Sequence, residues 1–476
     1  MLFVVLLAGV SFALSQTLVI PALAPITESF GASATASSWV LTGFLLSASV
    51  ATPIVGKLGD LYGKGRTLAV VLTIFAAGSI VCALAESIGP LIAGRVMCGV
   101  AGGVFPLSFG IIRDNFPPER VPAGLGLMSA IFGIGGGIGL PLSGVIVDNI
   151  DISWLFWIGL IAIPAAFAAF RLVPPSPTRA DVRIDWGGAV LLSIGLAALL
   201  LGVTESNEWG WSSARTLALI AGGVVVLAGW LRFEDRHPEP LIDLRILGER
   251  AVWATNLVGF LIGFAMFSSF LLIPRLAQTP EFSGYGLGLT VTASGLLLLP
   301  GAISQLIAGP FAGTLGVRFG FRTTLAGGAS LCTAAFIWAA LFHAEAWQLI
   351  ISGILLSMGI AFAFASMANL IVAAVDQSQV GIATGINTVT RTVGGAFGSA
   401  VATSVLAANL LEGSSLPAET GYTAAFVISS VGGIAAIAAA MLIPRATNAR
   451  AAGTSPARGG SPRGGPEPEP AQSPSR

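Results

Sequence analysis

The sequence is dominated by long apolar runs that recur along almost its whole length. Most are close to the ~20 residues that an α-helix needs to cross the hydrocarbon core of a bilayer. Only 10% of the 476 residues are charged, against about 25% in a typical soluble domain. Lipid accepts such an apolar surface, and helices satisfy their own backbone groups there. The runs therefore predict an all-α integral membrane protein.

We predict about fourteen transmembrane helices. They lie near residues 2–24, 37–56, 67–85, 90–112, 122–147, 153–173, 186–203, 214–232, 251–274, 289–313, 322–342, 346–372, 380–407 and 423–443. The first run resembles a signal peptide, but it lacks a positive n-region and its apolar stretch is too long. We therefore interpret it as the first span.

Positive charges are distributed very unevenly between the predicted loops. Nineteen of the 23 Lys and Arg residues fall in alternate loops or in the C-terminal segment. The other loops hold only Arg215 and Arg275, and Arg95 and Arg391 fall inside spans. Because Lys and Arg favour cytoplasmic loops, this asymmetry predicts an even number of spans with both termini in the cytoplasm.

An internal repeat divides the chain. The segment 56–63 (GKLGDLYG) follows the second span and 313–320 (GTLGVRFG) follows the tenth. The spacing predicts two six-helix halves, related as parallel repeats, with two extra helices between them. We assign residues 1–173 to the N-terminal half, 174–250 to a linker with the two extra helices, 251–443 to the C-terminal half, and 444–476 to a disordered cytoplasmic tail, because the tail lacks apolar periodicity.

The composition also argues against several classes of function. A formal net charge of +0 gives no basic face for nucleic acid. Three isolated cysteines and two histidines favour apolar packing over a metal site or another cofactor. The sequence shows neither a cluster of catalytic side chains nor a phosphate-binding loop of the G-x-x-x-x-G-K-[ST] type.

Segment 56–66 (GKLGDLYGKGR) resembles the loop signature of the major facilitator superfamily, with Leu61 where the family usually has an Arg. Segments 38–46 (SWVLTGFLL) and 387–396 (NTVTRTVGGA) resemble the second and thirteenth spans of its fourteen-span drug:proton antiporter branch. The resemblance covers nearly everything before the tail. It implies a secondary transporter with the major-facilitator fold.

The resemblance implies a conformational latch at the loop signature. Asp60 is expected to meet the start of the thirteenth span near Gly381, where a helix N-terminus favours an anion. Arg113 is the candidate partner of Asp60, and the contact would close the cytoplasmic side. The full set assigned to gating is Gly56, Asp60, Gly63, Lys64, Arg66 and Arg113; the basic members also fit a simpler role in setting topology.

Two arginines lie within predicted spans, where an isolated charge is costly. The resemblance links Arg95 to proton coupling, although an arginine this close to a span end can also snorkel. Arg391 lies near the middle of its span, and we expect it to line a cavity or to join a buried polar network; if it faces the cavity, it would favour an anionic or polar substrate group. The full set assigned to coupling or to the cavity is Arg95, Arg391, Gln16, Asn256, Gln305 and Asn387.

The fifth span contains a glycine-rich run, 133–144 (GIGGGIGLPLSG). It resembles the glycine-and-proline signature of the family's exporters, with Leu140 in place of the Gly before the proline. We assign Gly139, Pro141 and Gly144 to close helix packing and a kink.

The predicted spans contain no Asp or Glu, and Ser15 occupies the position at which the branch commonly has an Asp. The predicted function is a secondary exporter of amphipathic small molecules by alternating access, with protons as the expected coupling ion. The expected setting is a monomer in the plasma membrane lipid bilayer. An importer or uncoupled facilitator of the same fold remains an alternative, and a membrane enzyme or structural subunit is a third.

Overall fold

The computed structural model describes residues 1–444, apart from 21, 33, 175–184, 239, 241–243, 377–378, 412–413 and 415. Across these residues the chain is helical, and one isolated antiparallel bridge joins Leu410 and Pro417. The predicted tail lies outside the described residues, except for its first residue.

The first predicted half is built from ten helices, several of which are separated by only a turn. They are α1 (Leu2–Thr17), α2 (Leu23–Ser29), α3 (Ala34–Tyr62), α4 (Lys64–Ala83), α5 (Ile88–Gly99), α6 (Val104–Asn115), α7 (Val121–Ile134), α8 (Leu140–Asn149), α9 (Trp154–Trp157) and α10 (Ala162–Leu172). Short 3-10 turns continue α5 into α6 and α9 into α10, and a π-helical turn at Gly135–Gly139 continues α7 into α8.

The rest of the described chain adds the inserted helices and the second half. The inserted region contains α11 (Trp186–Trp209), α12 (Ala214–Glu234) and α13 (Leu244–Gly248). The second half contains α14 (Arg250–Gln278), α15 (Val291–Leu296), α16 (Leu299–Phe319), α17 (Phe321–Leu341), α18 (Ala346–Ala374), α19 (Val380–Ala408) and α20 (Glu419–Leu442).

Eleven helical segments among the described residues are long and apolar enough to cross a membrane. Two shorter apolar helices, Leu2–Thr17 and Val121–Ile131, add to them. The prediction of an all-helical membrane protein is confirmed, whereas the number fourteen remains a prediction. The shortness of α1 and α7 follows from their surroundings: α1 ends at a turn before α2, and a π turn interrupts the glycine-rich span.

The buried apolar side chains form three clusters. Most of the first comes from residues 4–173 and most of the second from 254–443. The third joins the inserted helices to both: Leu192 and Trp230 pack with Ile54 of α3 and with Ile382 and Val389 of α19. The inserted pair thus lies against the line where α3 and α19 meet.

The two copies of the internal repeat have the same local geometry. Gly63 has a φ of 97° and Gly320 has a φ of 90°, a region that side-chain-bearing residues rarely enter. Each glycine joins two long helices, α3 to α4 and α16 to α17, through a one-residue turn. The repeated glycine therefore marks the same sharp reversal in each half.

The helix of the seventh predicted span extends beyond its predicted end. The seventh span was expected to end at residue 203, but α11 continues to Trp209, so Glu205 lies inside this helix and is only 4% exposed. The helix continues because Gly210, with a φ of 83°, is the first residue that turns the chain. Glu205 is the last residue but one of the candidate membrane span Trp186–Ser206, so it lies at a span end, and the expectation that the span interiors hold no Asp or Glu remains a prediction.

Candidate transport pathway

Two helices far apart in the sequence touch through their backbones beside the predicted basic loops. Gly56 of α3 faces Gly381 of α19, and a Cβ added to Gly56 would lie 2.6 Å from the Gly381 carbonyl oxygen. Real Cβ atoms essentially never come this close to another atom, so glycine is required for the contact. We call the end of the bundle that holds Tyr62, Asn115 and Val380 the basic end; α3 and α19 close it at this point.

Asp60 lies one helical turn beyond Gly56 on α3. A Cβ on Gly381 would lie 3.0 and 3.1 Å from its two carboxylate oxygens, so the carboxylate sits against the first turn of α19. Asp60 is 7% exposed. This is the position that the resemblance implied, and an anion there interacts favourably with the helix N-terminus.

The charge nearest to Asp60 is a lysine rather than the expected arginine. Lys64 Nζ lies 3.4 Å from Asp60 Oδ1 and donates a hydrogen bond of 2.9 Å to Asp114 Oδ2. Arg113 was expected to pair with Asp60, and this is wrong. Arg113 instead donates to the Val375 carbonyl at 3.1 Å, because it lies on α6 beside the end of α18. It therefore bridges residues 1–173 and 251–443 by a separate contact.

The other residues assigned to the latch have more local positions. Gly63 makes the turn into α4, and Arg66 follows it on the first turn of α4 with an exposed side chain. Arg66 lines a surface cavity of about 570 Å³ together with Arg171. Its position fits a topological charge better than a direct part in the latch.

A large cavity lies at the far end of the bundle, which we define by Ile20, Gln278 and Tyr422. Its volume is about 760 Å³. It is lined from both halves, by α2, the turn before it and α8 on one side and by α14, α15 and α20 on the other. Arg275 and Gln278 are exposed within this lining. The structure is thus closed at the basic end and hollow at the far end.

Two small cavities continue inward from the far-end cavity. The first, of about 10 Å³, shares Ile20 and Phe270 with it. The second, of about 30 Å³, shares Gln16, Met266 and Phe267 with the first. The shared side chains lie between neighbouring cavities, so the three cavities form a series from the far end to the centre of the bundle, which we call the path.

Arg391 lines the innermost of these cavities. Its guanidinium carbon lies 4.1 Å from the centre of the Phe364 ring, and its Nη2 donates to Thr388 Oγ1 at 3.3 Å. The side chain is 6% exposed. Gln16 and Arg391, both assigned to the cavity from the sequence, thus line the same small cavity.

Arg95 faces the interior of its own half. It donates from Nε to the Val40 carbonyl at 3.0 Å and from Nη1 to Ser15, to the backbone oxygen at 3.1 Å and to Oγ at 2.9 Å. Its guanidinium lies 4.2 Å from the centre of the Phe44 ring. Arg95 lines none of the three cavities on the path, and it does not snorkel, because it is 1% exposed.

Three further polar residues that were expected to border the cavity pack between helices instead. Asn387 Nδ2 donates to Asn256 Oδ1 at 3.0 Å, which joins α19 to α14. Gln305 is buried on α16. None of the three lines a cavity on the path. Helical periodicity could not distinguish the face towards a neighbouring helix from the face towards the path.

The glycine-and-proline run packs as tightly as its composition suggests. A Cβ on Gly139 would overlap Thr17 Oγ1 of α1, and one on Gly144 would lie 2.7 Å from Thr292 Oγ1 of α15. Pro141 is at the start of α8, directly after the π turn, and its backbone meets Gly295. These positions join α8 both to its own half and to the opposite one.

Arg275 is the functional candidate that sequence reasoning missed. It was counted only as one of two positive charges in the less basic loops. The structure places it on the last turn of α14, in the wall of the far-end cavity. The only signal in the sequence was its isolation from the other arginines.

The sequence matches the profile of the Major Facilitator Superfamily over residues 5–399, with a second match over 255–472. The chain is 30% identical to the uncharacterized MFS-type transporter YhcA of Bacillus subtilis, over 67% of this chain and 60% of that protein. It is 29% identical to the uncharacterized MFS-type transporter Rv1877 of Mycobacterium tuberculosis, over 84% of this chain and 58% of that protein. The matches thus span about three fifths of these two relatives.

Another relative has a named activity. The tetracenomycin C resistance and export protein of Streptomyces glaucescens is 28% identical over 82% of this chain and 72% of its own length. Among solved structures, the human organic anion transporter MFSD10 superposes with a TM-score of 0.66 at 17% identity, over 92% of this chain and 98% of that one. At that identity the likeness concerns the fold alone. The chain therefore belongs to the major facilitator superfamily.

Proposed function

We propose that this transporter is a secondary exporter of amphipathic small molecules that works by alternating access. The observation that carries the proposal is the difference between the two ends of the bundle. Gly56 and Gly381 are in contact at the basic end, while a cavity of about 760 Å³ separates the halves at the far end. A rocking of residues 1–173 against 251–443 would exchange these states.

Export and a drug-like substrate are supported by relatives. The tetracenomycin C resistance and export protein and the multidrug resistance protein Stp of Mycobacterium tuberculosis are 28% and 27% identical to this chain. We place the chain in the fourteen-span drug:proton antiporter branch, as a monomer in the plasma membrane with both termini in the cytoplasm. The basic end would then face the cytoplasm, and the structure would represent an outward-facing state.

In this proposal Asp60 is the central residue of the latch. Its carboxylate is buried between the N-terminus of α19 and Lys64, and separating α3 from α19 would expose it to water. Hydration of the exposed Asp60 carboxylate would offset the free energy lost when its contact with the N-terminus of α19 breaks. Asp60, Lys64 and the Arg113–Val375 hydrogen bond would together favour the closed basic end.

We also propose that transport is coupled to protons. Coupling requires a carboxylate that takes up a proton from one side of the membrane and releases it to the other as the halves rock. Asp60 is the buried carboxylate that would release its proton at the basic end when that end opens, after taking it up from the far side in the opposite state. A proton-coupled exporter and an uncoupled facilitator differ in whether a pH gradient drives substrate uptake into proteoliposomes.

The experiment uses the purified chain in proteoliposomes with an acidic interior, which an exporter in the inverted orientation would use to accumulate substrate. Ethidium, N-phenylnaphthylamine and anilinonaphthalene sulfonate serve as cationic, neutral and anionic fluorescent substrates. The proposal predicts that uptake of at least one exceeds that of empty liposomes and stops when nigericin collapses the gradient. Uptake that ignores nigericin would identify a facilitator. No protein-dependent movement of any substrate would contradict the transport proposal.

A further inference from the structure

The surface cavity at the basic end is separate from the three cavities of the path. It has a volume of about 570 Å³ and lies between the start of α4 and the end of α10. This volume is within the usual range for small-molecule sites, about 300–1,000 Å³. Arg66 and Arg171 line the cavity, and its described lining contains no Asp or Glu. A ligand in this cavity therefore meets two positive charges without a competing carboxylate.

The cavity lies at the level where two membrane helices end. The candidate membrane span of α4 begins at Lys64, and the span that includes α10 ends at Leu172. Arg66 and Arg171 are next to these span ends, and both side chains are exposed. The polar headgroups of a bilayer lie just outside the hydrocarbon core that the spans cross. The two guanidinium groups are therefore at the depth of the lipid phosphates.

Direct packing of α4 on α10 brings the two arginines to one cavity. A Cβ added to Gly65 would lie 2.8 Å from Val173 Cγ1, so the chain segments beside Arg66 and Arg171 are in contact. The Arg171 guanidinium carbon lies 5.3 Å from the centre of the Phe167 ring. The cavity is thus a gap between two helices that are held together.

The donors of both guanidinium groups remain available. Among the described residues, neither Arg66 nor Arg171 makes an ion pair or a side-chain hydrogen bond. The contact of Arg171 with Phe167 is made to the ring face and attracts the cation without an oxygen acceptor. A guanidinium presents five N–H donors in a planar fork that matches the oxygens of a phosphate.

The second half satisfies the corresponding arginine with its own backbone. In the predicted repeat, α17 and α20 correspond to α4 and α10, and Arg322 follows the turn at Gly320 as Arg66 follows the turn at Gly63. Arg322 Nη2 donates to the Met441 carbonyl at 2.7 Å, at the end of α20. In the first half the cavity takes the place of this acceptor. An acceptor from outside the chain would complete the site.

Exposed apolar side chains continue from the cavity towards the middle of the membrane. Val70 lies one turn beyond Arg66 on α4 and is 58% exposed. Phe167 and Ile163, one and two turns from Arg171, are 65% and 49% exposed. Residues four apart share one face of a helix, so the faces below both arginines are apolar. A soluble phosphate would contact only the arginines, whereas a phospholipid would also cover these faces with its acyl chains.

We propose that this cavity binds an anionic phospholipid, with Arg66 and Arg171 as the contacts for its phosphate and with its acyl chains along α4 and α10. Basic pockets between membrane helices suit such headgroups. All of these residues belong to one half of the bundle. The inference therefore does not depend on the substrate, on the direction of transport or on rocking of the halves.

The test is native mass spectrometry of the purified full chain in detergent, titrated with one lipid at a time. Dioleoyl phosphatidylglycerol and dioleoyl phosphatidylcholine have the same acyl chains and differ in headgroup charge. We expect the first phosphatidylglycerol to bind with about tenfold higher affinity than the first phosphatidylcholine. Equal affinities would overturn the proposal. Glycerol phosphate at the same concentration as the lipid should not displace phosphatidylglycerol; displacement would assign the cavity to soluble phosphates and overturn the lipid as its ligand.

Substitutions show whether the two arginines cause the preference. The double variant Arg66→Gln with Arg171→Gln should lower phosphatidylglycerol affinity about tenfold and leave phosphatidylcholine affinity unchanged. The matched control is Arg232→Gln with Arg318→Gln, which removes two exposed arginines from the basic ends of α12 and α16, away from the cavity. It should keep the full preference. An equal loss in the two double variants, or no loss in the cavity variant, would overturn the proposal.

A charge-conserving variant separates phosphate binding from a structural role of the arginine side chains. Arg66→Lys with Arg171→Lys keeps both charges and should keep most of the preference for phosphatidylglycerol. If this variant binds phosphatidylglycerol no better than the glutamine variant, the positive charges do not hold the headgroup and the proposal is overturned.

Discussion

Gly56 on α3 and Gly381 on α19 approach so closely that a Cβ on either residue would lie within 3.0 Å of the other's carbonyl oxygen. Replacing Gly56 with Val should therefore destabilise the closed basic end by ~1–3 kcal/mol, the usual cost of overpacking. The population should shift, roughly tenfold for each 1.4 kcal/mol, towards the state that is open at the basic end.

Accessibility of the far-end cavity measures this shift. In a background with Cys82, Cys98 and Cys332 replaced by Ala, a Gln278→Cys reporter in the cavity wall should react several times more slowly with a membrane-impermeant maleimide when Gly56→Val is present. Gly222→Val is the control, since nothing lies within 4 Å of its added Cβ. Equal labelling rates in the two variants would contradict the proposed role of the contact.

Asp60 should be indispensable to turnover although it lies far from the substrate path. Asp60→Asn keeps the size of the side chain but removes the anion from the N-terminus of α19, where such a charge is worth about 0.3–1 kcal/mol and more when partly buried. Initial uptake rates in proteoliposomes should fall at least about tenfold if both the latch and proton exchange depend on the charge.

Asp235→Asn is the matched control for this substitution, because Asp235 is an exposed carboxylate at the end of α12. Its transport rate should equal that of the unaltered chain. Full activity of the Asp60→Asn protein would refute the gating role, whatever the control shows.

Arg95 should matter for stability rather than for substrate binding. Arg95→Gln loses the hydrogen bonds to Ser15 and Val40 and the contact with Phe44. We expect the free energy of unfolding to fall by ~2 kcal/mol, with unchanged affinity for anilinonaphthalene sulfonate. Thermal unfolding in detergent and equilibrium dialysis measure the two quantities. Weaker sulfonate binding without loss of thermal stability would place Arg95 on the path instead.

Much of the fold could be predicted because its determinants are local. An apolar run long enough to span a bilayer predicts a helix wherever it occurs, and the glycines at 63 and 320 stand out in sequence as they do in backbone geometry. The seventh helix continues past the predicted end of its span at residue 203. The turn at Gly210, rather than polarity, ends that helix.

The site was only partly predictable, because it depends on which face of each helix meets which neighbour. The placement of Asp60 at Gly381 came from a resemblance, not from periodicity. Lys64 was recognised as basic, but its hydrogen bond to Asp114 joins residues 50 positions apart. Likewise Ser15 and Arg95 were each noted, yet their contact across 80 positions appears only once the helices are packed.

In the proposed transport cycle the two halves rock so that one end opens as the other closes. Its most direct test is a pair of distance measurements by pulsed electron paramagnetic resonance in the cysteine-free background. Spin labels at Tyr62→Cys and Val317→Cys would report on the basic end, and labels at Leu84→Cys and Phe342→Cys on the far end; all four positions are at least 45% exposed. The two distances are measured while the pH or the concentration of anilinonaphthalene sulfonate is changed. Alternating access predicts that any condition that lengthens the distance between the basic-end labels shortens the distance between the far-end labels. Two distances that stay fixed, or that lengthen and shorten together, would contradict it.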